Sequence, residues 1–307
     1  MPLITIIIPV YNEAEIIKQT AEIVSETFAG NSFELLIVDD GSTDGTWDAI
    51  ETIARENSQI HGIKFSRNFG KEAAMFAGLD NAAGDCAIIM DGDLQHPPKT
   101  ALEMFRVWQN GNVDIVEGIK KHRQKESSFN RFAANMFYSV LKSLSGVSLK
   151  NASDFKLLDR KTIDQLRSMP ERQTFFRAMT GWTGLRTVFV EYETAPRAGG
   201  ETKFSLINLF KLAIDSIISY SSAPLVAVTF FGFIFCGFGA VLGIHTLFRF
   251  FTGHSLEGFS TVILLLLIIG GIMMVSLGII GVYIAKIYNE IKQRPRYIIG
   301  QSTREGS

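Results

Sequence analysis

Two carboxylates one residue apart, Asp91-Gly92-Asp93, close the apolar run at residues 86–90, and Gln95 follows two positions later. Such a pair at a strand end makes a hard-oxygen site. Mg²⁺ or Mn²⁺ binds through few protein carboxylates and leaves its other positions to water and phosphate oxygens. Asp91, Asp93 and Gln95 are therefore the candidate metal ligands, and Gly92 lets a bulky ligand approach closely. A lone Asp-x-Asp is mostly a solvated turn. The preceding strand and the following Leu-Gln-His-Pro-Pro strengthen this one. His96 reads as a turn residue rather than a ligand.

Three further stretches carry polar groups at strand ends. In IVDDGSTDGT, residues 37–46, Asp39 or Asp40 could accept hydrogen bonds from a nucleobase or ribose. The same segment also reads as a turn with a helix cap, served by Ser42, Thr43 and Asp44. Pro9-Val10-Tyr11-Asn12-Glu13 ends the first strand, where Tyr11 could flank a flat base. SRNFGK, residues 66–71, sets Arg67 and Lys71 within reach of a diphosphate, or leaves them as surface cations.

The elements that must hold these groups alternate. Strand-like runs at residues 3–10, 33–39, 60–66, 86–90 and 113–118 are rich in Ile and Val and apolar on both faces. Helix-like segments at 13–28, 46–57, 71–82 and 98–109 separate them. The pattern implies an α/β domain with a mostly parallel sheet and helices on both faces. Ligands of such sheets sit at the carboxyl ends of the strands, where Asp91 and Asp93 fall. The N-terminus, MPLITIIIPVYNE, reads as the first strand and not as a signal peptide.

Charge is distributed unevenly. Lys plus Arg number 30 and Asp plus Glu 31 in 307 residues, a balance that argues against a nucleic-acid binder. No charged residue occurs from 216 to 248 or from 258 to 285. Each gap exceeds the roughly 20 apolar residues that span a bilayer core. Residues 127–145 and 204–220 space their apolar positions helically, as core-facing helices do, or helices lying at a membrane surface. Membrane contact is favoured for 204–220, which runs straight into the first span. Lys286, Lys292, Arg294 and Arg296 follow the second span and place both flanks on the cytoplasmic side. The two cysteines, Cys86 and Cys236, lack metal-ligand spacing and fit a reducing compartment.

IPVYNE, VDDGSTDGT, SRNFGKEAAMFAGL and MDGDLQHPP resemble the nucleotide-binding half of family 2 glycosyltransferases, which have the GT-A fold. NASDFKLLDR, PERQTFFRAMTGW, RAGGETKFSL and the two spans extend the resemblance to polyprenyl-phosphate glycosyltransferases. Bactoprenol glucosyltransferases are the nearer group and dolichol-phosphate mannose synthases the more distant one. The resemblance implies a nucleotide sugar, most often UDP-glucose, that gives its hexose to a polyprenyl phosphate. It places Asp91, Asp93 and Gln95 around Mg²⁺ or Mn²⁺, and Pro9, Tyr11, Glu13 and Asp40 in the nucleotide pocket. Asp39, Lys71 and Gly92 join that pocket as further candidates. Asp154 matches the sugar and acceptor segment, Gly-Asp-Phe-Arg-Leu, but Ser153 stands for the Gly and Lys156 for the Arg. The lysine keeps the charge without the fork geometry. Gln293-Arg294-Pro295-Arg296-Tyr297 mimics the Gln-x-x-Arg-Trp signature of processive synthases and reads instead as a juxtamembrane basic anchor; the acceptor-side segment corresponds to residues 172–182.

The expected organisation is a cytoplasmic GT-A domain at 1–200, an interfacial helix at 201–222, a transmembrane hairpin at 223–285 and a basic tail at 286–307. Lys120, Arg123, Arg131, Arg197 and Lys203 are the candidate cations for the lipid phosphate; a solvated charge run is the alternative for Lys120 and Arg123. Asp91, Asp93 and Asp154 are the expected catalytic set, with Asp154 orienting substrates and the anomeric centre inverted. The expected location is a bacterial inner membrane, with membrane lipid as a partner. Gly270, Gly271, Gly278 and Gly281 permit close helix contact, within one chain or between protomers of a homo-oligomer; a flippase for the lipid-linked sugar is a further partner that the reading admits. The rivals are a mannosyl- or aminosugar transferase, a non-catalytic nucleotide-sugar-binding subunit, and a nucleotidyltransferase.

Overall fold

The computed structural model describes residues 1–121, 153–171, 175–193, 223–252 and 258–304. The expected helices at 127–145 and 201–222 lie outside these residues, as do Arg123, Arg131, Arg197 and Lys203.

The first half alternates as the sequence implies. Strands β1 (Ile4–Val10), β2 (Phe33–Asp39), β3 (Ile60–Phe65), β4 (Cys86–Ile89) and β5 (Ile115–Lys120) are separated by helices α1 (Ile17–Phe28), α2 (Thr46–Glu56), α3 (Lys71–Asn81) and α4 (Pro98–Asn110). Each observed end falls within four residues of the expected one. Then follow β6 (Lys156–Asp159), α5 (Arg160–Ser168), α6 (Phe176–Trp182) and β7 (Thr187–Tyr192). Two long helices, α7 (Ala223–Phe251) and α8 (Phe259–Ile291), precede a last strand, β8 (Ile299–Ser302).

The eight strands among the described residues form one sheet in the order β7-β5-β6-β4-β1-β2-β3-β8. The pairs β1–β2, β1–β4, β2–β3 and β5–β7 are parallel, while β4–β6, β5–β6 and β3–β8 are antiparallel. Alternate residues of the central strands feed two cores. Ile4, Ile6 and Ile8 pack with Ile17, Val24, Ile50 and Met104 on one face. Ile7, Leu36 and Val38 pack with Phe76, Leu79, Ile163 and Phe176 on the other. Helices thus cover both faces, as buried strands with apolar residues on each side require. Gly78 lets α3 lie close to β1, since a Cβ there would meet Ile7 at 2.2 Å.

The chain divides into two compact units, residues 1–203 with 294–307, and residues 204–293. The second contains two apolar segments long enough to cross a bilayer, Pro224–Arg249 and Ile268–Ile291. α8 continues six residues beyond the expected end of the span at 285 and carries Lys286 and Glu290 as helix.

The tail is where the structure departs most from expectation. Its end pairs antiparallel with β3, with Ile63 opposite Ser302 and Lys64 opposite Gln301. Tyr297 stacks on Phe65 at 5.1 Å between centroids and donates to Asp80. Arg304 pairs with buried Glu34. Residues read as a basic tail are therefore an edge of the sheet. The physical reason is that β3 would otherwise present an unpaired edge, which proteins cover.

Candidate active site

The carboxyl ends of β1, β2 and β4 and the start of α3 surround a cleft of about 350 Å³. Eight expected residues line it: Pro9, Tyr11, Glu13, Asp40, Lys71, Asp91, Gly92 and Asp93. Asp39, Gln95, Asp154 and Lys120 are not among the lining residues.

Two turns frame the cleft and are bonded to each other. The Asn12 amide donates to Ser42, the Glu13 amide donates to Thr46, and the Thr43 amide donates to the Asn12 side chain. Asp44 accepts the Thr46 amide at 3.0 Å, so Ser42, Thr43 and Asp44 serve the turn. Asn12 (φ 55°) and Leu94 (φ 58°) hold the left-handed backbone region in the turns on either side. Such conformations persist only where surrounding contacts enforce them.

The aspartates at the end of β2 divide the work. Asp40 accepts the amides of Phe69 and Gly70, which fixes the β3–α3 turn and the start of the helix carrying Lys71. Burial pushes its carboxyl above the ordinary range despite those amides. Asp39 is fully buried; Oδ1 accepts the Ser42 amide, and Oδ2 has no partner among the described residues.

The acidic pair sits on a turn held from below. The Asp91 amide donates to His96 Nδ1 at 3.0 Å, which leaves the imidazole proton on Nε2. His96 is buried, stacked on Phe155 and edge-on to Tyr192. Burial pulls its pKa down, so the ring is neutral and able to accept. His96 is therefore more than the turn residue expected. Gly92 also has another reason than the one expected. A Cβ there would meet Val10 at 3.0 Å and Ile8 at 3.3 Å, so the space it spares belongs to β1. Thr20 anchors the Gly92 carbonyl. The Gln95 amide donates to Asp93 Oδ1.

A chain of charges leads out of the cleft. Lys71 Nζ lies 2.6 Å from Asp91 Oδ1 and 3.2 Å from Asp154 Oδ2. Arg177 grips Asp154 with both arms, Nε to Oδ1 at 2.7 Å and Nη2 to Oδ2 at 2.9 Å. Burial opposes ionisation of Asp154, but Arg177 and Lys71 outweigh it and hold the carboxyl down at about 2. Lys71 is pushed up: burial works against its charge, and Asp91 and Asp154 prevail. Beside them, Glu72 accepts the Phe176 amide at the start of α6, and burial raises its carboxyl to about 7.

Lys156 does not reach toward a phosphate. It is 3% exposed, donates to Thr180 at 2.7 Å and pairs with Glu117 at 3.3 Å. Glu117 in turn accepts the Ser153 amide at 2.7 Å, fixing the residue before Asp154. The forked cation at Asp154 is instead Arg177, within the segment expected on the acceptor side. Lys120 is exposed at the end of β5, opposite Tyr192 of β7.

No group of three His, Cys, Asp or Glu side chains suited to a metal occurs among the described residues. Two carboxylates on one turn nonetheless suit a hard cation that completes its shell with phosphate oxygens and water. The donor set fits such a cation.

A profile described as Glycosyl transferase family 2 matches residues 5–184. The chain is a family 2 glycosyltransferase. Among relatives of this glycosyltransferase, the uncharacterized glycosyltransferase YkcC of Bacillus subtilis is 35% identical over 97% of the chain and 93% of its own length. The prophage bactoprenol glucosyl transferase homolog of Escherichia coli K12 is 35% identical, covering 96% and 98%. The bactoprenol glucosyl transferase of Shigella phage SfII is 34% identical, covering 98% of each. Among solved structures, glucosyl-3-phosphoglycerate synthase from Mycobacterium tuberculosis, with Mn²⁺, UDP-glucose and phosphoglyceric acid, superposes with a TM-score of 0.51. It is 19% identical, covering 71% of this chain and 79% of that one, a likeness of fold: the GT-A fold.

Proposed function

We propose that this glycosyltransferase moves a hexose from a nucleotide sugar to a polyprenyl phosphate at the cytoplasmic face of a membrane. The observation that carries the reading is the Asp91–Lys71–Asp154–Arg177 chain, which joins a cleft suited to a nucleotide and cation to a second, cation-rich position. Relatives named bactoprenol glucosyl transferases align along nearly the whole chain and support glucose and a polyprenyl acceptor. UDP-glucose is accordingly the first donor to test.

In this reading Pro9, Tyr11, Glu13 and Asp40 border the nucleotide, with buried Asp39 behind them. Asp91 and Asp93 hold Mg²⁺ or Mn²⁺, which when bound offsets negative charge on the departing diphosphate. Lys71 adds a fixed positive charge at the same point. The acceptor phosphate monoester has a second pKa near roughly 6 and is already ionised at neutral pH. A general base is not needed, and a carboxyl held at about 2 would be a poor one. Asp154 instead orients Arg177 and Lys71 around the acceptor. Attack opposite the leaving group inverts the anomeric centre.

Residues before and after the two apolar helices belong to the same folded unit. This supports a reading in which both flanks share one side of the membrane and the crossings between them are even in number. Basic residues Lys286, Lys292 and Arg294 favour the cytoplasmic side.

The test is a panel of labelled nucleotide sugars incubated with undecaprenyl phosphate, with and without chelator. Lipid-linked glucose formed only with a divalent cation supports the reading. A mannosyl- or aminosugar product would correct the donor. Release of pyrophosphate, or no lipid-linked sugar from any donor, would overturn it.

A further inference from the structure

The Gln293–Tyr297 stretch, read from sequence as a basic anchor, contains an arginine whose charge is used inside the protein. Arg296 follows the end of α8 by five residues. Its Nη2 donates to the carbonyls of Met169 and Glu171, both at 2.7 Å, and its Nε donates to Glu171 at 3.1 Å. Met169 is the C-cap of α5, where helix-end carbonyls need outside donors, and Glu171 lies two residues beyond it. The guanidinium also lies 4.9 Å from the centroid of Phe76 on α3. Phe76 meets Phe176 of α6 edge-on, at 6.2 Å and 82°.

Both flanks of the α5–α6 connection thus converge on one side chain. The near flank is bonded to it directly, and the far flank leans on it through Phe76. Arg177, the residue after Phe176, forks onto Asp154. A planar guanidinium reaches several acceptors while stacking on a ring; an ammonium is a point charge. The rest of the tail does not depend on Arg296, because Tyr297 bonds Asp80 and Arg304 pairs with Glu34.

We propose that Arg296 is a positioning residue for the acceptor side of the site: it holds Arg177 on Asp154 and makes that clamp depend on the chain that follows the second apolar helix. The catalytic consequence rests on the function proposed above; the positioning itself does not.

Hydrogen exchange on the full-length protein in lipid nanodiscs decides it, comparing wild type, Arg296→Ala, Arg296→Lys and, as a control on the same tail, Tyr297→Phe. Arg296→Ala should speed exchange at the Phe176 and Met179 amides about 10- to 100-fold, the worth of charge-assisted hydrogen bonds. The amides of Ile6 to Ile8 in β1 should be unchanged, Arg296→Lys intermediate, and Tyr297→Phe silent at α6. In the transfer assay Arg296→Ala should raise the acceptor KM or lower kcat about tenfold while the donor KM stays. Unchanged α6 exchange, or equal acceleration in α6 and β1, overturns the proposal. If the alanine variant does not fold, the lysine variant is judged by the same comparison. Exchange needs no turnover, so a chain that transfers no sugar would refute the proposed function and leave this result standing.

Discussion

The His96 ring lies parallel to the Phe155 ring, 4.6 Å between centroids and 5° between planes. One residue follows the acidic pair and the other follows Asp154, so this stack couples the two halves of the site. His96→Phe should keep the stack and strip the Asp91 amide of its acceptor. Leaving this part-buried amide unmatched costs up to about 1–3 kcal/mol, and misplacement of the turn should lower kcat by up to about 100-fold. Steady-state kinetics beside a thermal melt would check this. A variant with normal kcat would show that the bond to Asp91 is dispensable.

Asp154 provides a prediction in pH. With its carboxyl at about 2, it stays ionised through the neutral range and contributes no limb to the activity profile. Asp154→Asn should depress turnover by about 100-fold, equally from about pH 6 to pH 9, because orientation rather than proton transfer is lost. A rate–pH series on both proteins tests it. A limb present in wild type and missing in the variant would make Asp154 a titrating base.

Glu72 should make stability depend on pH in the direction opposite to most carboxylates. Its pKa rises from 4.5 to about 7 on folding, so the folded state holds the proton more tightly. The contribution is complete below 4.5 and disappears as pH climbs through about 7. Its ceiling is about 3 kcal/mol. Glu72→Gln keeps an oxygen for the Phe176 amide and should flatten the dependence, making the variant the more stable form at about pH 8. Unfolding midpoints across the range would show parallel curves if Glu72 does not titrate there.

The Arg304–Glu34 pair predicts a rescue. Glu34 also accepts Thr5 and the Ala83 amide, so it stays buried when Arg304 is removed. Arg304→Ala should cost about 3 kcal/mol, since removing one partner strands a buried charge. Adding Glu34→Gln should restore much of the loss. Melting temperatures of the two singles and the double would report it, and strictly additive losses would argue against coupling.

Much of this architecture is legible in the residues. β1 through α4 follow from Ile- and Val-rich runs separated by helix-like segments, and the cleft from the polar residues that close those runs. What escapes reading is what depends on distant partners. β6 and β8 have four residues each, too few to declare a period, and β8 pairs with a strand more than 200 positions earlier. Arg177 stands in a segment whose importance was visible, but nothing local marks it as the fork on Asp154. His96 looked like punctuation in a Pro-rich turn, because its role depends on Phe155 and Tyr192 arriving from later in the chain. Lys156 reads from sequence as a charge without the fork geometry, and nothing local marks its burial against Glu117.

The return of the chain to β3 also imposes an order on biosynthesis. Residues that cap the exposed edge emerge from the ribosome only after both greasy helices have been made. Until then the nascent sheet offers an open flank to neighbours. Completion of the sheet must therefore wait on synthesis of both apolar helices, so a chain cut short before Ile299 would leave that flank open.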